Sequence, residues 1–200
     1  LVFIAAFVFV CEWGDARYWY SNNPRETQAR QLNEKSPFGN YALQIPGNQI
    51  IRQRIPIEYL KPLRSNTVTL GFWAWASSPI KINAPTIIFS YEGGYVSSPK
   101  KSINLGLVPK FYSIQVDVPY NSRNGWLDIA NQETDIYFDQ IVLADGMWDE
   151  GMPQFDDSTS RTGLWRGDEF ENLIRNSSFE KSWFNISALA WRKLLARFPY

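Results

Sequence analysis

The stretch Thr67–Ala76, TVTLGFWAWA, constrains the fold more than any other part of the chain. Val68, Leu70, Phe72 and Ala74 alternate with Thr69, Gly71, Trp73 and Trp75. A period of two sends alternate side chains to opposite sides of a β-sheet. Val, Thr, Phe and Trp are also good strand formers. The Val68/Leu70/Phe72 row suits a core. The other row carries two Trp, too apolar for an ordinary solvent face. Either a second layer covers that row, or it lines a groove.

The same period recurs along the chain. Tyr41–Ile45 (YALQI) reads as a strand and Pro46-Gly47-Asn48 as a turn. Residues 49–57 (QIIRQRIPI) set Ile51, Gln53, Ile55 and Ile57 against Ile50, Arg52 and Arg54, which places both arginines on the solvent side. Ile80–Asn83 and Thr86–Tyr91 are short and β-branched; residues 92–95 read as a turn and 97–101 as a loop. Residues 111–118 (FYSIQVDV) put Tyr112, Ile114, Val116 and Val118 on one side. Residues 126–130 (WLDIA) turn Leu127 and Ile129 inward, and 136–144 (IYFDQIVLA) close the series. Many short strands between turns, with no helical period among them, predict an all-β antiparallel sandwich or jelly roll. Its shared core is predicted from Val68, Leu70, Phe72, Ile114, Val116, Leu127, Ile129 and Leu143. Residues 22–40 read as loop with at most one short strand, and 58–66 as a connection.

Composition removes several function classes. Lys+Arg equal Asp+Glu over 200 residues, which argues against broad electrostatic capture of nucleic acid. The absence of His removes the commonest general base and metal ligand. The one Cys, Cys11, forms no internal disulfide or thiolate zinc cluster and reads as a structural thiol. No pair of carboxylates sits in a recognisable hydrolase motif. Gly93-Gly94 reads as a turn, not a phosphate loop. The segment therefore reads as non-catalytic.

Both ends depart from the strand pattern. Residues 1–10 (LVFIAAFVFV) are continuously apolar, about half of the ~20 residues a spanning helix needs. The run reads as the end of a membrane helix, as the hydrophobic part of a signal peptide, or as a buried strand. The first is favoured, because Glu12, Trp13, Asp15, Arg17, Tyr18, Trp19 and Tyr20 follow like an interfacial belt. At the other end, Trp191, Leu194, Leu195 and Phe198 fall at helical spacing beside Arg192, Lys193 and Arg197. A short amphipathic helix over 187–198 follows, packed on the sandwich or lying on a lipid surface. The expected organisation is 1–21 as membrane-helix end and belt, 22–148 as jelly roll, 149–171 as connector and 172–200 as a closing segment. Trp148, Phe155 and Trp165 would tack the connector onto the sandwich.

The strands YALQI, 49–57, LGFWAWA, FYSIQVDV and YFDQIVLADG resemble, in succession, those of carbohydrate-binding modules with a galactose-binding-like jelly roll, such as families four and nine. Phe138-Asp139-Gln140-Ile141-Val142-Leu143 is similar to the "F-D-x-hydrophobic-x-L" of their late strand. The resemblance covers about residues 41–148. The opening segment usual in such modules is missing before Tyr41 but appears at 172–180 (NLIRNSSFE). It either starts a second module or completes the first sandwich from its C-terminal side. The resemblance also implies a structural calcium near Asp139, with Glu12 or Glu180 as a further oxygen donor and carbonyls for the rest. Alternatively, Asp139 is a carboxylate hydrogen-bonded to nearby backbone.

Recognition of a glycan is the function the resemblance implies. Sugar rings present C–H faces that stack on flat aromatics, while their hydroxyls meet polar side chains. Trp73, Trp75, Tyr91, Tyr95 and Trp126 are the candidate rings, with Gln115 and Asp117 as polar partners. The module would then be extracytoplasmic and held at a membrane. Two other readings stand beside it: an assembly domain of a membrane complex, its rings buried against other subunits, and an accessory domain of a membrane glycosyltransferase. Open rings sharing one groove favour the sugar; covered rings favour assembly.

Overall fold

The computed structural model describes residues 19–21, 28–31, 37, 39, 41–131, 133–148, 150–156, 160–175 and 179. The chain runs through β1 (Trp19–Ser21), β2 (Gln28–Gln31), β3 (Tyr41–Ile45), β4 (Ile50–Ile55), a helical turn α1 (Ile57–Leu60), β5 (Thr67–Ala76), β6 (Ile80–Asn83), β7 (Thr86–Tyr91), β8 (Gly94–Ser97) and β9 (Ser102–Leu105). It continues through β10 (Lys110–Asp117), β11 (Asn124–Ala130), β12 (Ile136–Asp145), β13 (Gln154–Phe155), β14 (Thr162–Trp165) and β15 (Asp168–Glu171). One five-stranded sheet has the order β1-β4-β11-β7-β8 and the other β10-β5-β12-β3-β2. We call them the first and second sheets. Their strand pairs are antiparallel.

The inward rows of both sheets meet in one core. Val68, Leu70 and Phe72 of β5, Leu127 and Ile129 of β11, Leu143 of β12 and Val116 of β10 are all buried there. Ile114 is half-buried and packs on the rim of this cluster, a correction to its predicted central place: β10 is an edge strand with one flank open. Phe72 lies 5.5 Å from Phe138 and 5.7 Å from Tyr112, ring centre to ring centre. Burying a side chain of this size stabilises by roughly 1.5–3 kcal/mol relative to leaving it in water.

One irregularity sets the phase of β12. Asp139 pairs with Trp73 and Val142 with Gly71, so two residues, Gln140 and Ile141, oppose Phe72 alone. Gln140 takes a positive φ of 42°. This bulge shifts the alternation, so that Ile136, Phe138, Ile141 and Leu143 all reach the core while Val142 and Ala144 face outward.

Several segments differ from their sequence reading. Trp19 and Tyr20 form the edge strand β1, paired with β4; the rest of the expected interfacial belt lies outside the described residues. Trp19 is buried against Phe179, because its inward position meets the sandwich core. Residues 94–97 and 102–105 form β8 and β9, where a turn and no strand were expected; both are too short to show a period. The connector holds a three-stranded meander, β13-β14-β15, hereafter the strap. After it, the Asn172 amide accepts the Leu143 and Ile174 N–H groups and donates to the Ile141 and Ser160 carbonyls. Gln53 clasps Arg175 through both its N–H and its carbonyl, at 2.8 and 2.9 Å. Leu173, Ile174 and Phe179 are buried in the same core as the strands. The apolar run 1–10 and the segment 187–198 lie outside the described residues. Among the described residues, no helix is long and apolar enough to cross a membrane.

Candidate functional site

The predicted site residues fall on two different sheets. Trp73, Trp75, Gln115 and Asp117 belong to the second sheet, on β5 and β10. Tyr91, Tyr95 and Trp126 belong to the first, on β7, β8 and β11. No single ligand face unites them.

On the second sheet the outward row of β5 is covered. Trp75 is 1% exposed and stacks on Tyr137, with ring centres 5.4 Å apart, so it offers no open face to a sugar. Trp73 is half-buried, edge-on to Phe111 at 5.8 Å. Next along the strand, Gly71 leaves a gap that Phe111 and Trp165 fill. A Cβ on Gly71 would stand 2.8 Å from each of those rings. Thr69 then holds the chain leaving β12: its hydroxyl donates to the Gly146 carbonyl and accepts the Trp148 N–H. Trp148 stacks on Trp165 at 5.8 Å, and Trp165, Phe170, Val142 and Ala144 make a small second core. The row that looked like a binding platform is thus packed on neighbouring rings at Trp73 and Trp75 and covered by the strap at Gly71. Gln115 is exposed, and Asp117 accepts a hydrogen bond from the Thr67 hydroxyl at 2.7 Å.

The first sheet presents a different outer face. Because strand partners point the same way, its side chains form rows across the strands. Tyr20, Arg52, Asp128 and Thr86 make one row; Arg54, Trp126, Ile88 and Ser97 the next; Asn124, Ser90 and Tyr95 the third. Tyr95 is 72% exposed and its ring lies 6.2 Å from that of half-buried Trp126. Tyr91 is half-buried at the end of β7. Arg52 grips Asp128 with two N–H bonds of 2.6 Å each. That hydrogen bonding holds the Arg52 guanidinium above its ordinary value. Arg54 donates to the Asn124 amide oxygen at 2.8 Å. At the margin Arg123 pairs with Glu92 at 2.5 Å. The face therefore combines open aromatic surface with an ordered set of polar groups. Arg52, Arg54, Asn124 and Asp128 were not among the predicted site residues. Their signal lay in the solvent phase of β4 and its charge complement on β11.

Asp139 is buried at the bulge, and its carboxylate accepts the Gln140 N–H at 2.7 Å. Among the described residues, no group of three or more His, Cys, Asp or Glu side chains could hold a metal ion. Glu12 and Glu180 lie outside the described residues. The Asp139 side chain anchors local backbone at the bulge.

No family model matches the chain, and no curated protein matches it. Solved structures do. The C-terminal family 22 carbohydrate-binding module of Clostridium thermocellum Xyn10B aligns at 12% identity and a TM-score of 0.50, covering 66% of this chain and 88% of that one. The xylan-binding family 22 module of Paenibacillus barcinonensis Xyn10C aligns at 11% identity and 0.50, covering 67% and 89%. A family 4 module aligns at 17% identity and 0.47, covering 68% and 94%. The chain has the jelly-roll fold of carbohydrate-binding modules.

Proposed function

We propose that this chain is a non-catalytic glycan-recognition module and that its ligand lies on the outer face of the first sheet. The observation that carries the reading is the Tyr95–Trp126 pair: an open ring beside a half-buried one, among ordered polar side chains. Flat aromatics receive the C–H faces of pyranose rings, while Arg54, Asn124 and Arg52–Asp128 supply directional hydrogen bonds. The fold supports it, since modules of this fold include one described as xylan-binding. The chemistry supports it as well, because a chain without His lacks the usual proton shuttle. Calorimetric titration with a panel of neutral and acidic oligosaccharides tests it. Wild-type protein should bind at least one class, and Trp126→Ala should weaken that binding by about tenfold or more, about 1.4 kcal/mol. No binding across the panel, or binding unchanged in Trp126→Ala, overturns the reading.

The apolar run 1–10 supports a further element of the proposal, that the module is extracytoplasmic and held at a membrane. The full chain should float with liposomes, and a chain lacking residues 1–18 should not. Equal behaviour of the two removes this element and leaves glycan recognition standing.

A further inference from the structure

The charges on the binding face are not evenly matched, and the mismatch bears on what kind of glycan fits. Both oxygens of Asp128 are engaged by Arg52, so this pair is internally neutral. Arg54, one position along on the same face of β4, is exposed and bonds to a neutral amide. Among the described residues no carboxylate pairs with Arg54. The remaining members of the three rows, from Tyr20, Trp126 and Asn124 across to Tyr95 and Ser97, carry no formal charge. Among the described residues the three rows are left with one positive charge, and that charge stands beside the central ring. Arg54 is directly opposite Trp126 in the strand register, about 4.8 Å away in the pairing direction.

Hydrogen-bond polarity narrows the partner further. A guanidinium only donates, so the atom of Asn124 that faces it is the amide oxygen. This turns the Asn124 NH2 group away from Arg54, with its two donors available to a ligand. The Arg54 guanidinium and the Asn124 NH2 thus form a donor-rich array next to an aromatic platform. A sugar hydroxyl is both donor and acceptor and makes incomplete use of such an array. A carboxylate accepts only, through two oxygens matched in spacing to the guanidinium fork.

We propose that this face selects a uronic-acid-bearing glycan, whose pyranose rings rest on Trp126 and Tyr95 and whose carboxylate is received by Arg54 and Asn124. The inference rests on the glycan reading above and adds the class of sugar. Within it the two arginines have different tasks. Arg52, neutralised by Asp128, shapes the face, and Arg54 discriminates among ligands.

Matched ligand pairs test the inference separately from the reading it rests on. One pair is an oligogalacturonate and the same oligomer with its carboxyls methyl-esterified. The other is a xylo-oligosaccharide with and without a glucuronic acid branch. In calorimetric titration the carboxylated member of at least one pair should bind wild-type protein about tenfold more tightly, as expected of a charge-assisted bond. The preference should shrink as salt is raised. Arg54→Gln should bring the ratio within that pair to about one. Lys110→Gln removes the same charge from the other sheet and should leave the ratio intact. Trp126→Ala should weaken both members. If neutral members bind wild-type protein as tightly as acidic ones, or if Arg54→Gln keeps the preference, the uronate inference falls while glycan recognition stands. If a sulfated neutral oligosaccharide outcompetes the uronate, assignment to a carboxylate is wrong. If neither member of either pair binds, the inference falls, and binding elsewhere in the oligosaccharide panel decides the fate of the broader reading.

Discussion

The outer faces of the two sheets begin from the same sequence device and end in opposite states. On each, aromatic residues occupy the row that alternation sends away from the core: Trp73 and Trp75 on β5, Trp126 on β11. On the second sheet Trp73 and Trp75 pack against Phe111 and Tyr137 of the neighbouring strands, and the strap covers the same row at Gly71, with Trp165 fully buried over it. On the first sheet no comparable layer lies over the row among the described residues, and Tyr95 stands open beside Trp126. The two faces differ in what lies between the rings. The second sheet offers a glycine gap, small outward residues such as Ala144, and Phe111, which together receive an indole. The first offers Arg52–Asp128 and Arg54–Asn124, polar pairs that would be costly to desolvate beneath an apolar layer. An outward aromatic row is therefore not enough to define a binding platform. Its neighbours decide whether it is covered or left in water.

The largest expected effect breaks the covered face. Trp165→Ala removes the centre of the small second core and should cost about 3–5 kcal/mol in chemical unfolding. Gly71→Ala attacks the same seam from below. Its new methyl must push aside Phe111, Trp165 and Val142, each within 2.9 Å of the built position. A loss of about 1–3 kcal/mol is expected. Trp126→Ala, on the open face, should cost only about 1 kcal/mol of stability while weakening ligand binding about tenfold or more. Equal destabilisation by Trp126→Ala and Trp165→Ala would show that the two faces are not distinct in kind.

The smallest expected effect reports on the seam between strap and sandwich. The Tyr59 hydroxyl accepts a hydrogen bond from Arg175 at 3.3 Å, and Arg161 of the strap lies over its ring at 5.8 Å. Hydrogen bonding from Arg175 first, then from Arg161, lowers the Tyr59 pKa below its ordinary value. A lowered phenol contributes stability only where the phenolate forms. The contribution is full above the unfolded value of about 10 and is lost as pH falls through the folded value, so it is absent at neutral pH. Ultraviolet difference titration against Tyr59→Phe should show a phenol ionising early, and Arg175→Gln should move it back up. The same upward movement in Trp165→Ala would show the strap lifting; an unmoved titration in that variant would show that Arg161 stays in place without the indole.

Much of the fold was legible because period-two alternation is local. Val68, Leu70, Phe72, Leu127, Ile129 and Leu143 reach the core as their spacing predicts, and Ile50, Arg52 and Arg54 reach solvent. The bulge was not legible, because only the pairing shows two residues set against Phe72. Phe138 and Ile141, three apart, reach one side only because the bulge shifts the alternation between them. β8, β9 and the strap strands were not legible, since four residues or fewer scarcely show a period. The candidate site was half legible. Trp126, Tyr95 and Tyr91 could be picked as rings, but grouping them with Trp73, Trp75, Gln115 and Asp117 required knowing which strands are neighbours.

The sequence by itself determined which side chains leave each strand on the core side, because that depends only on backbone pleat and the order of residues. Tertiary structure alone decided which outward row is buried. Trp165 follows Gly71 by almost a hundred positions, and nothing local to either marks them as partners. Their meeting depends on the strap folding back over β5, where a missing Cβ leaves room for a ring. It also depends on β4 and β11 lying side by side, so that Arg52 meets Asp128, Arg54 meets Asn124, and Trp126 stays half-exposed between polar neighbours.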